Sequence, residues 1–213
     1  MGRRSKALPS QQAKAAEAMK KPSICLVGGH GGSDTGVTHR ELVEAEFTYE
    51  MQEMLYDRLS SAFKDLNLIV GRHEKDCDPS FKHKHIVAQC ARADLVIELH
   101  VDEPGKPWSG THILYHPNNG YTKKIADEGA LYVPTALKKK TPVYPAYKSK
   151  WPRALNVLEA YGDINALVYE FGWIDNDYEA LMNPAIQNES LHAIEHMIAY
   201  WLELRSKKLV CER

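Results

Sequence analysis

Three short apolar runs, Ser23–Gly28 (SICLVG), Asp94–Leu99 (DLVIEL) and Ala166–Phe171 (ALVYEF), are separated by segments of helical length, and this alternation constrains the fold more than any other feature. Each run is too short for a helix and apolar on both sides, as a strand covered on two faces is. Asn67–Val70 and Thr111–Tyr115 are weaker runs of the same kind. Leu42–Phe63, Phe81–Arg92, Tyr121–Leu137 and Ala185–Arg205 have helical length and periodicity. The β-α-β-α-β pattern predicts an α/β fold of three layers, a mainly parallel twisted sheet with helices on both faces. A chain of 213 residues with 44% hydrophobic content fills one substantial core, so the expectation is a polar tail over residues 1–21 and a single domain over 22–213.

Charge excludes several roles. Lys and Arg total 27 against 28 Asp and Glu, a net of −1, so no global field draws the chain to nucleic acid or to an anionic membrane. The first 21 residues carry Gln, Lys and Glu where a signal peptide needs an unbroken apolar stretch, and no run of eighteen apolar residues occurs. The expectation is synthesis in the cytoplasm without a signal peptide and no stable membrane insertion. The four cysteines form no C-x-x-C pair; two fall inside apolar segments and read as buried thiols of a chain folding in a reducing compartment.

Ligands of open parallel sheets gather at the carboxyl ends of strands. There the first run leads into Gly29-His30-Gly31-Gly32, the 94–99 run into His100, and the last run carries Glu170 in otherwise apolar surroundings. One histidine alone is usually a hydrogen-bonding residue; two at equivalent strand ends resemble a metal-ligand pair. A helical wheel begun at Leu42 adds an acid. Phe47, Met51 and Leu55 define an apolar face centred near about 180°, Glu44 falls within it at about 200°, and Glu46 and Glu53 point away. A carboxylate on a buried face requires a partner or a cation. The alternative is that this first turn is not helical and Glu44 is an exposed acid.

These residues resemble the zinc-dependent N-acetylmuramoyl-L-alanine amidases of the type 3 family, which cleave peptidoglycan, and the likeness runs from about Ile24 to Leu204. The family's Gly-His-Gly-Gly-x-Asp-x-Gly loop appears as Gly29 to Gly36, with a glutamate fourteen residues after the histidine, Glu44. Its Ser-Ile-His-Ala-Asn-like motif corresponds to Glu98-Leu99-His100-Val101-Asp102, and its Leu-Val-Glu-x-Gly-Phe-x-x-Asn-like motif to the stretch around Glu170 that ends at Asn176. The resemblance implies Zn2+ held by His30, Glu44 and His100, a catalytic Glu170, and peptidoglycan or a muropeptide as partner, with 22–213 as the amidase-like catalytic domain. A His2Glu set leaves a tetrahedral position for water. A separate acid then takes that water's proton and returns it to the departing amine, the role the resemblance implies for Glu170. An acid that caps a helix or pairs with a lysine is the alternative for that residue.

The sequence departs from the family pattern at Val27, Glu98, Asp102, Lys84 and Gln89. Glu98 and Val27, with no wall-binding repeat alongside, keep open a small non-wall amide as substrate; a catalytically silent peptidoglycan-binding domain is the third alternative. Without a signal peptide, the implied route to the wall is that of a phage lysin crossing a holin-type pore, or else action on cytoplasmic muropeptides. Asp34 either orients a ligand imidazole or caps the next helix. The basic and aromatic stretch 138–153, with Tyr144, Tyr147 and Trp151 among lysines, reads as a substrate-binding flap or a solvated loop. His192-Ala193-Ile194-Glu195-His196 matches the H-x-x-E-H zinc pattern, but the wheel turns both histidines away from the face of Ile194, Ile198 and Trp201. His83-Lys84-His85 reads as a polar helix start.

Overall fold

The computed structural model describes residues 20–75, 91–138 and 142–211. Six strands form one sheet in the order β4-β1-β5-β8-β6-β7: β1 Ser23–Gly28, β4 Asn67–Val70, β5 Leu95–Asp102, β6 His112–Tyr115, β7 Val143–Pro145 and β8 Asn165–Trp173. β1, β4, β5 and β8 run parallel; β6 is antiparallel to β8 and parallel to β7. The nine-residue stretch between β5 and β6 contains no helix, and without a crossover β6 cannot return parallel to β5. Two short strands, β2 Thr38–His39 and β3 Leu42–Val43, pair in a separate hairpin.

Side-chain alternation divides the core. Ile24, Leu26, Leu95, Ile97, Leu99, Ile113, Leu167, Tyr169 and Phe171 face three helices, α1 Glu44–Ala62, α2 Gly120–Ala130 and α5 Pro184–Cys211. Cys25, Val27, Val96, Leu114, Ala166 and Val168 face the other way, against Val157 and Leu158 of α3 Pro152–Ala160. Helices therefore cover both faces, as the alternation predicts; α4, Tyr178–Leu181, is a single turn after β8. Among the described residues no helix is long and apolar enough to cross a membrane.

Several boundaries differ from the sequence reading for local reasons. The expected helix 42–63 begins at Glu44, because Leu42 and Val43 pair with Thr38 and His39 around a turn in which Arg40 has φ 53°. The expected helix 121–137 stops at Ala130; its start is capped by Asn119, whose side chain accepts from the amides of Tyr121 and Thr122. Pro134, whose φ is fixed and whose ring disfavours helix before it, precedes a single 3-10 turn at Thr135–Leu137. The stretch read as a flap or loop holds β7 and the start of α3, which opens with Pro152 in the first helical turn, where its missing amide hydrogen costs nothing. The expected helix 81–92, with Lys84 and Gln89, lies outside the described residues except at its last two positions.

Candidate metal centre

The strand face that buries Val96, Ala166, Val168 and Leu114 near the middle of the sheet carries ionisable residues farther along, since residues two apart share a face. Glu98 and His100 follow on β5, Glu170 on β8 and His112 on β6. Glu44 comes from the opposite layer. It is the first residue of α1, is 2% exposed, and reaches over the sheet end, where its Oε1 accepts from Val101 N at 2.9 Å and its Oε2 from Val37 N at 2.9 Å. His30 stands in the loop after β1, with φ 59°, a conformation a side chain adopts only when its surroundings hold it there.

His30, Glu44 and His100 meet. His30 Nε2 lies 3.2 Å from Glu44 Oε2, and His100 Nδ1 lies 3.0 Å from Glu44 Oε1. One ligand-type atom from each lies within 4.8 Å of those of the other two. The far nitrogen of each ring faces another acid: His30 Nδ1 is 2.9 Å from Asp34 Oδ2, and His100 Nε2 is 3.2 Å from Glu98 Oε1. Asp34 thus orients an imidazole, and α1 begins ten residues later, so it caps no helix. Neutral rings that donate to the outer acids turn their lone pairs toward the Glu44 carboxylate. Only a proton or a cation between them relieves that repulsion, so these donors fit a divalent metal.

Two glycines make the approach possible. A Cβ on Gly36, at φ 64°, would run into the Glu44 carboxylate and lie 2.7 Å from His30 Cδ2; one on Gly29 would lie 2.6 Å from His100 Nδ1. In the protein chain alone, burial opposes charge on His100, but its hydrogen bonds to Glu44 and Glu98 prevail and push its pKa to about 10. Burial likewise opposes charge on Glu44, and the contacts with His100 and His30 prevail, holding its carboxyl far below the usual range.

Glu170 is level with His100 across the β5–β8 pairing and is buried. Burial first, then the charge of Asp102, pushes its pKa well above the usual carboxylate value; His100 pulls it down, and Glu44 and Glu98 push it up. Glu98, the departure beside the second histidine, is 2% exposed and accepts from Tyr161 Oη at 2.6 Å. Its charge is thus tied into the second sphere of His100 instead of facing a substrate.

An aromatic wall stands beside these acids. Trp108, Tyr144, Trp151, Trp173 and His112 line a cavity of about 150 Å³, and the Lys150 ammonium lies 4.8 Å from the Tyr144 ring centre. The turn after β8 anchors the loop that brings Trp108: Asn176 Nδ2 donates to the carbonyls of Lys106 and Trp108, each at 2.6 Å. Sequence reasoning missed His112 and the partnership of Asp102 with it. His112 opens an antiparallel strand, so it precedes its apolar run instead of following it. His192 and His196 lie on the outer side of α5, and His196 stacks on Tyr132 at 3.5 Å, away from the sheet.

A family model described as N-acetylmuramoyl-L-alanine amidase matches residues 24–200. The chain is similar to the solved structure of an N-acetylmuramoyl-L-alanine amidase from Clostridium difficile, with a TM-score of 0.75 and 19% identity over 86% of this chain and 98% of that one. It is also similar to the catalytic domain of an amidase from Bacillus (Paenibacillus) polymyxa var. colistinus, with a TM-score of 0.71 and 20% identity over 85% and 98% of the two chains. An amidase of Nostoc punctiforme gives 0.70 and 18% over 86% and 98%. No curated protein sequence matches. The family match spans most of the chain and includes every strand and helix that builds the site: the chain belongs to the N-acetylmuramoyl-L-alanine amidase family.

Proposed function

We propose that this chain is a zinc-dependent amidase that hydrolyses the bond between the lactyl group of N-acetylmuramic acid and L-alanine in peptidoglycan. The observation that carries the reading is the convergence of His30, Glu44 and His100 on one point, with Glu170 level with His100 on the next strand, in a chain of this family. His30 Nε2, His100 Nδ1 and a Glu44 oxygen would hold the metal. When bound, zinc supplies Lewis acidity, lowering the pKa of water and polarising an amide carbonyl.

The protein's own residues do the rest. Asp34 and Glu98 fix the tautomer and direction of the two imidazoles, and the Val37 and Val101 amides fix the Glu44 carboxylate. Glu170 takes a proton from the attacking water and returns it to the departing amine nitrogen, so the products are a free carboxylic acid and a new L-alanine amino terminus. Its burial, which raises its pKa above the usual carboxylate value, suits a group that both accepts and releases a proton. The wall of Trp108, Trp151 and Trp173 offers ring faces to an apolar or sugar portion of the muropeptide.

Incubation of purified peptidoglycan with wild type and with Glu170→Ala, followed by mass spectrometry, tests the proposal. Free stem peptides with L-alanine amino termini, absent with the variant, support it. Binding to the wall without release would instead indicate a silent binding domain. Neither binding nor release from several wall chemotypes would favour a small non-wall amide.

A further inference from the structure

Glu170 stands between two histidines. In sheet register it is level with His100 on β5 and with His112 on β6, and residues level on neighbouring strands point to one face. His100 belongs to the centre described above. On the other side, Asp102 Oδ2 approaches His112 Nε2 to 2.9 Å, yet the two atoms are not aligned as a hydrogen bond. Asp102 Oδ2, His112 Nε2 and Glu170 Oε2 are all buried without a hydrogen-bond partner. His112 is 3% exposed and Glu170 9%.

A buried polar atom without a partner is destabilising, and here three are grouped: one ligand-type atom from each of Asp102, His112 and Glu170 lies within 4.8 Å of those of the other two. Two carboxylates and one imidazole are the oxygen and nitrogen donors of a divalent transition metal. The surroundings favour a cation over another anion or a neutral ligand, because Glu44 and Glu98 add their charges to those of Asp102 and Glu170. Trp151 and Trp173, with ring centres 4.8 and 5.8 Å from that of His112, give the group the apolar shell that strengthens coordination by excluding water.

We propose that Asp102, His112 and Glu170 form a second divalent-cation site, beside the His30–Glu44–His100 centre and sharing Glu170 with the catalytic machinery. A cation held there occupies the carboxylate that otherwise accepts the water's proton, so metal beyond the first equivalent inhibits hydrolysis. This kinetic consequence rests on the role proposed above for Glu170; the site itself rests on the geometry of the three side chains.

Zinc bound per chain at saturation, measured by equilibrium dialysis and elemental analysis on the full chain, tests the inference in wild type, His30→Ala, His112→Ala and Asp102→Asn. The isosteric Asp102→Asn carries the test if His112→Ala does not fold. The expected result is two zinc ions in the wild type and one in each variant, with wild-type release of stem peptides falling as zinc passes one equivalent. A wild type with one zinc, lost in His30→Ala and kept in the other two, overturns the second site and leaves the proposed function standing. One zinc lost in His112→Ala and Asp102→Asn but kept in His30→Ala supports the second site and contradicts the first. Two zinc ions undiminished by His112→Ala and Asp102→Asn also overturn the inference.

Discussion

Tyr161→Phe removes one oxygen from the interior and tests whether Glu98 is part of the frame of the metal centre. Tyr161 is 1% exposed, and its hydroxyl donates to Glu98 Oε2 at 2.6 Å, while the other Glu98 oxygen faces His100 Nε2 at 3.2 Å. Phenylalanine keeps the ring and its packing, so the change isolates a hydrogen bond to a buried carboxylate, worth roughly 1.5–3 kcal/mol. Urea unfolding of the metal-free protein should show that loss. In the double-mutant cycle with Glu98→Gln, the coupling between the two positions should account for most of it. Because Glu98 also orients His100, Tyr161→Phe should weaken zinc binding by about 10-fold, the lower end of what loss of an outer-sphere partner costs. A coupling below about 0.5 kcal/mol, within the usual error of additivity, together with unchanged zinc affinity, would show that Glu98 is not part of that frame.

Three further outcomes are expected. Gly36→Ala places a methyl group against Glu44 and His30 at φ 64°; the backbone alone costs about 1–2 kcal/mol, and thermal unfolding with a zinc count should show both lower stability and reduced metal content. Arg58 binds both oxygens of Glu195 at 2.6 and 2.8 Å and ties α1 to α5; the pair is partly solvated, so Arg58→Ala should cost about 1 kcal/mol in low salt and less in high salt, by urea unfolding. Burial, then the charge of Glu98, pushes the Cys25 thiol from 9.0 up to about 12. Its contribution to stability is therefore complete below pH 9.0 and is lost as pH rises toward about 12; peptide mapping after iodoacetamide treatment of the folded protein at pH 8.5 should find Cys25 unmodified.

The sheet was legible because β1, β5 and β8 are buried on both faces and so appear as continuous apolar runs. The approach of His30, His100 and Glu170 was legible for the same reason: polar residues at the ends of such runs stand out, and a parallel sheet places those ends together. Glu44 was readable from its helical phase, even though the helix begins two residues later than its periodicity indicates. Four particulars escaped for physical reasons. β6 enters the sheet antiparallel, which puts His112 at the site from a strand start. β7 is a three-residue edge strand ending in proline, with too few residues for a periodic signal. α3 begins among lysines and aromatics that look like loop, although Pro152 marks its first turn. Glu98 looked like a charge added beside a ligand, and only the contact with Tyr161, 63 residues away, shows where that charge is held.

His30, Glu44 and His100 are the residues proposed to hold the metal. Anomalous diffraction at the zinc edge, from crystals of the protein loaded with a single equivalent of zinc, tests that assignment most directly. The expected result is a peak about 2 Å from His30 Nε2, His100 Nδ1 and a Glu44 oxygen. A peak on the outer face of α5 between His192 and His196, whose Nε2 atoms lie 3.2 Å apart, with none at the strand ends, would contradict it.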